Sequence, residues 1–179
     1  MAAPIKPQKK KAIGTRRLWL VDTLGDPAAP TDDEINAGDY VACYPLQDQA
    51  GPTSTPNKIT LPALMCETDV EEEFGLTTHQ HPDITFVWDP QAATAAAGKK
   101  AWDVVKDGWT GFIVWELGED AEASDQVAAT DFVTVVPAKI VVTGEEPTGT
   151  GEDGLHAFQT AVVVRAPYIQ RNVAVVAAP

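Results

Sequence analysis

Apolar and polar positions alternate with a period of two along much of this chain. In 83–89 (DITFVWD), Ile84, Phe86 and Trp88 fall on one side and Thr85 and Val87 on the other, which predicts a β-strand. Strands are predicted in the same way at 16–23 (RRLWLVDT) and 39–46 (DYVACYPL), and later at 109–117, 131–143, 155–166 and 171–177. A further strand over 58–70 is expected to bend or weaken at Pro62, because proline has no N–H to donate to a ladder. The acidic, glycine-containing segments GEDAEASD and GEEPTGTGEDG read as turns between antiparallel neighbours.

Helical signals are fewer. Thr31 and Glu34 have the spacing of a capping box, with Gly38 ending a short turn. Asp89 and Pro90 supply an N-cap and a first-turn proline for a helix over 92–106, where Ala95, Gly98, Trp102 and Val105 form one apolar stripe and Gly108 closes the C-terminal end. Six or seven strands with one such helix, mostly outside a βαβ alternation, predict a mainly β fold. The expected architecture is an antiparallel β-sandwich or barrel with one packed α-helix. It would form a single domain over 15–179, with an exposed Pro/Gly/Ser/Thr-rich loop at 47–58 and a flexible basic arm at 1–14.

The segment 109–117 (WTGFIVWEL) is apolar on both faces: Trp109, Ile113, Trp115 and Leu117 on one, Phe112 and Val114 on the other. The 155–166 segment repeats this, with Phe158, Val162 and Val164 against Ala157, Ala161 and Val163. An antiparallel strand in a solitary domain commonly shows water a polar face. The expectation is therefore that neighbouring subunits close part of the sheet surface and several edges, the alternative being a monomeric sandwich filled from within.

Charge sharpens this picture. The 179 residues carry a net charge of −13, but Lys6, Lys9, Lys10, Lys11, Arg16 and Arg17 all precede the first acid, so the remaining 7 cations and 26 acids leave −19 for the body. A basic arm ahead of an acidic body suits docking onto another copy of the chain at least as well as nucleic acid, since the arm has no interleaved aromatics for base stacking. Cys43 and Cys66 lack CxxC spacing and read as buried or free thiols. No run approaches the roughly 20 apolar residues that span a bilayer, and no apolar leader follows the lysines, so synthesis in a cytoplasm without export is expected.

The order of features (basic arm, first strand, Pro/Gly-rich loop, DITFVWDP, alanine-rich helix, DGWTGFIVWELG and ATDFVTVVPAKIVVTG) resembles the major tail tube proteins of long-tailed bacteriophages. The resemblance implies a β-sandwich or barrel whose protomers form hexameric rings that stack into a tube around a channel for DNA. The helix would pack outside the sandwich, and the arm at 6–17 and the loop at 47–58 would bridge rings. It also implies as partners the tape measure, tail terminator and distal tail proteins, a location in the virion tail, and DNA that passes without specific binding. An acidic channel wall would repel phosphate and let it slide. The chain departs from the pattern where an arginine is often found and it has Trp115 and Glu116. Expected subunit contacts are Lys6, Lys9, Lys10, Lys11, Arg16, Arg17, Trp109 and Trp115. The rivals are another phage β-sandwich protein (tail terminator or head decoration) and a monomeric carbohydrate- or cell-binding module, for which the five tryptophans would be the stacking platforms.

Catalytic patterns are lacking. His79 and His81 in THQHPD have the HxH spacing of a metal-binding strand, but Asp83 follows at once where such sites have a glutamate a few residues later, and only His156 remains as a distant third histidine. The carboxylates at 71–73, 119–122 and 145–153 fall in polar turns rather than apolar sites that would tune a general acid, and GEDAEASD lacks the order of a calcium loop. Ser54 and Ser124 lie in no GxSxG and near no histidine in sequence, and GTGEDG lacks the lysine of a phosphate loop. The reading is of a structural protein, not an enzyme, with no cofactor and no metal.

Overall fold

The computed structural model describes residues 14–46, 51–66, 68–94, 96–147 and 154–178. Nine strands and two short helices are present among them: β1 (Arg16–Val21), α1 (Asp32–Asn36), β2 (Asp39–Tyr40), β3 (Thr53–Thr60), β4 (Glu72–Gln80), β5 (Ile84–Val87), α2 (Lys100–Val105), β6 (Trp109–Leu117), β7 (Phe132–Pro147), β8 (His156–Val164) and β9 (Gln170–Ala174). The mainly β, antiparallel fold expected from the alternation is the fold observed.

Seven strands make one sheet in the order β2-β1-β6-β7-β8-β5, with β9 added to β7. The long β7 shares its second edge between two partners: residues 132–135 take β9 and residues 138–147 take β8. The sheet curls until its ends meet, because the chain beyond β2 bonds to β5 through Leu46 N–H to Thr85 O and Val87 N–H to Tyr44 O. The closed side holds the main core of Leu18, Leu20, Ile84, Phe86, Ile113, Trp115, Ile140 and Phe158, with Ala101 and Val105 of α2 filling one end.

A second core lies on the outside of β1, β6 and β7. Trp19, Val21, Val114, Val133 and Val135 are covered there by Ile35 of α1, Val127 and Val175. The second face of 109–117 is thus covered by the chain itself, through α1, the 118–131 segment and the residues around Val175. Three sets of polar bonds fasten the cover. Asn36 exchanges bonds with the Val127 backbone, Asp32 N–H bonds Val176 O, and Thr130 N–H bonds Val175 O.

Local differences have local causes. The capping box forms as expected, Thr31 Oγ1 accepting from Glu34 N–H and Glu34 Oε2 from Thr31 N–H. The helix expected over 92–106 is only Lys100–Val105, preceded by a 3-10 turn at Ala97–Lys99. Asp89 Oδ1 caps Gln91 N–H in a turn instead, and Asp89 N–H bonds Gly98 O, which diverts the alanine-rich stretch; Ala95 lies outside the described residues. Gly108 does take the left-handed conformation, at φ +84°, and ends the helix. The strand expected over 39–46 continues past Tyr40 as a turn.

The segments 47–58 and 58–70 need the largest correction. Thr53–Thr60 is a strand paired with Glu72–Gln80, for which no element was expected, and the two form a separate two-stranded hairpin. Pro56 is tolerated because the ladder is irregular between Pro56 and Lys58, and the strand stops before Pro62. Residues 47–50 lie outside the described residues.

Candidate assembly surfaces

The tryptophans of 109–117 serve the interior. Trp109 and Trp115 are each only 6% exposed, and each indole N–H is satisfied within the chain, Trp109 by Asp22 Oδ1 at 2.7 Å and Trp115 by His81 Nε2 at 3.0 Å. Trp19 donates likewise to Asp125 O at 3.0 Å. Trp102 stacks on Trp88 with centroids 4.3 Å apart, and both meet Phe158 edge-on. A fully buried indole without an acceptor would carry a desolvation cost, so these bonds fix each ring in one place.

Arg17 is also interior. Its guanidinium lies 2.7 Å from Glu116 Oε2, donates to Ser124 O and Gln126 O, and sits 5.2 Å from the Trp19 ring. Burial pushes the Glu116 carboxyl up from its ordinary value while Arg17 pulls it down. Glu116, marked in sequence as a departure, is thus the partner of Arg17 across the β1–β6 ladder, where the two are paired residues. Arg16 begins β1 and is engaged within the chain. Lys6, Lys9, Lys10 and Lys11 lie outside the described residues.

The histidines sit at the hairpin root. His79 Nδ1 is 2.9 Å from Ser54 Oγ, and its ring stacks on Tyr168 at 4.9 Å. Ser54 is therefore beside a histidine, contrary to the sequence expectation, because the β3–β4 pairing joins residues 25 apart. Ser54 Oγ also accepts from Arg171, whose second bond goes to Pro52 O, so the serine is a tie between hairpin and body. Both nitrogens of His81 are occupied: Nε2 accepts from Trp115, which makes Nδ1 the N–H that donates to Pro82 O at 2.7 Å. Burial lowers its pKa and keeps the ring neutral. Among the described residues, no group of three or more His, Cys, Asp or Glu could hold a metal.

Beyond this root the hairpin stands off from the barrel. Phe74 and Leu76 are 68% and 88% exposed, on opposite faces because the register slips by one residue between them; Ile59, on the Leu76 face, is exposed too, as are Leu64, Met65 and Val70. Glu71, Glu72 and Glu73 adjoin them. A shallow cleft of about 400 Å³ separates the root from β8, lined by Thr53, His79–Pro82 and Val162–Val164. Missing β4 from sequence followed from the acidic run and from the register slip at Gly75 and Leu76, which breaks the period-2 alternation. No helix among the described residues is long and apolar enough to cross a membrane.

Compared with models of protein families, residues 3–178 match the one described as phage tail tube protein. No curated protein matches the chain.

Proposed function

The chain belongs to the phage tail tube protein family, and from that premise we propose that it is the major tube subunit, its copies forming hexameric rings that stack around a channel for the genome. It is a structural component of the virion tail. The observation that carries the finer reading is the β3–β4 hairpin. An isolated two-stranded ribbon is marginal in water, and this one presents Phe74 and Leu76 to solvent with most of their surface uncovered. Apolar surface on a protruding element is surface that a partner completes.

Self-association supplies that partner. In this reading the hairpin and the basic arm, with Lys6, Lys9, Lys10 and Lys11, make the contacts between rings, and Arg16 sets where the arm leaves the sheet. Arg17, Trp109 and Trp115 act from inside, holding the strands on which the contacts are built. The net charge of −13 favours a wall that DNA slides past without sticking. Tape measure, terminator and distal tail proteins would meet the tube in its lumen and at its ends. No step of chemistry is required of any residue.

Electron microscopy of the purified chain, with its mass in solution over a range of concentration and salt, tests this. Six-fold rings and tubes are expected, and deletion of residues 1–11 should weaken stacking while the fold persists. A single closed ring at every concentration would point to a terminator, and a monomer throughout would overturn the stacked-ring reading in favour of a binding module.

A further inference from the structure

We propose that the hairpin of one copy docks on the outer face of β7 and β8 of the next, with Ile59 and Leu76 against Val141 and Val163, and with the Glu71 and Glu73 carboxylates against Lys139 and Arg165. This deepens the tube reading and rests on it, by naming the two unlike surfaces that meet.

The receiving surface follows from the β7–β8 register. Lys139 pairs with Val163 and Val141 with Ala161, while Ala138, Ile140 and Val162 between them point into the main core. Arg165 N–H bonds Pro137 O and so extends the ladder by one step, which puts Arg165 on the same outer side as Val163. The second core and its cover lie over β1, β6 and the first part of β7, so this part of the sheet is left open but for the cleft that separates Val162–Val164 from the chain's own hairpin root. Val141 is 43% exposed and Val163 61%. The result is two valines flanked by two exposed cations.

Those cations are distinctive. Among the described residues Arg17, Lys58, Lys100 and Lys106 are ion-paired, Lys99 lies over Trp88, Arg171 is bonded to Pro52 and Ser54, and Arg16 is engaged too. Lys139 and Arg165 have no such partner within the described chain. In a protein of net charge −13, the matching surface is one that is acidic and apolar together.

The hairpin has that chemistry. Glu73 pairs with Ile59, and Glu71, Glu73, Ile59 and Leu76 share one face of the hairpin, while Glu72 on the other face makes a 3.5 Å surface pair with Lys58. The exposed acidic turn at 118–125 carries no large apolar side chain, the one at 144–154 falls largely outside the described residues, and the basic arm would be repelled. Charges of this kind set orientation and register while the buried apolar groups hold the contact. Because the two surfaces differ, the contact is head-to-tail, the type that generates rings and stacks rather than closed dimers.

Reciprocal charge reversal tests this. K139E/R165E makes the receiving face acidic; E71K/E73K makes the hairpin basic and leaves the Lys58–Glu72 pair in place. By electron microscopy and sedimentation, each double variant should need about tenfold more protein to assemble, with circular dichroism and thermal midpoint unchanged. The chain carrying all four changes should assemble like the wild type, and so should an equal mixture of the two double variants. Wild-type assembly by K139E/R165E, or a folded four-fold variant as defective as its parents, overturns the docking while leaving the tube reading intact. A wild-type chain that never associates removes both.

Discussion

Trp115 donates its indole N–H to Nε2 of His81 at 3.0 Å, although 34 residues separate them. The bond ties the root of the hairpin to the interior of the barrel, and it exists only while His81 is neutral. Protonation would set an imidazolium N–H against the indole N–H in a buried site.

The pH dependence follows from the depressed pKa of His81. The unfolded chain takes up the proton as pH falls through 6.5, while burial resists protonation in the folded chain. The folded protein therefore has the full benefit above pH 6.5 and loses it as pH falls below that value. Thermal midpoints measured from pH 7.5 down to about 5, above most carboxylate titration, should decline for the wild type. The His81→Gln variant should decline less over that window; parallel curves would refute the assignment.

Arg17 and Glu116 form a buried pair whose loss is asymmetric. Arg17→Met leaves Glu116 uncompensated and removes the donors to Ser124 O and Gln126 O, so destabilisation of about 3–5 kcal/mol is expected. In Arg17→Met/Glu116→Leu the stranded charge is gone, so the double variant should be more stable than Arg17→Met alone. Denaturant unfolding of the three proteins measures this.

Gly111 lies where no side chain fits. An added Cβ would fall 2.4 Å from Val21 O and 2.5 Å from Trp109 Cζ2. Gly111→Ala must push the β1 backbone or the indole aside, at about 1–3 kcal/mol. The same substitution at Gly144, which has open space around it, should be far milder. The difference in thermal midpoint between the two variants is the readout.

The capping box should be worth its usual amount. Thr31→Ala is expected to lower stability by about 1 kcal/mol. The backbone N–H groups of Thr31 and Gly25 hold the Glu34 carboxyl below its ordinary value of 4.5. That contribution is present above pH 4.5 and is lost as pH falls through the lower folded value, so Glu34→Gln should flatten the acid limb of the stability curve.

Features that depend on near neighbours in the chain were set without help from the fold. The alternation of Ile84 and Phe86, the Thr31–Glu34 box and the left-handed Gly108 were all legible, because strand faces, caps and helix ends are decided within a few residues. The general pattern of arm, strands and acidic turns sufficed to indicate the family.

Tertiary structure alone decided what joins distant residues. Nothing local pairs Ser54 with His79, seats Glu116 on Arg17, or folds α1 and the C-terminal residues over Val114. The two apolar faces of 109–117 were visible in sequence, but whether a neighbour or the same chain covers them depends on where other segments run. The hairpin was hidden for a related reason: without a core beneath it, its residues carry little of the burial pattern by which strands are recognised. Periodicity records which side of a strand avoids water, and only the closed fold determines what lies against that side.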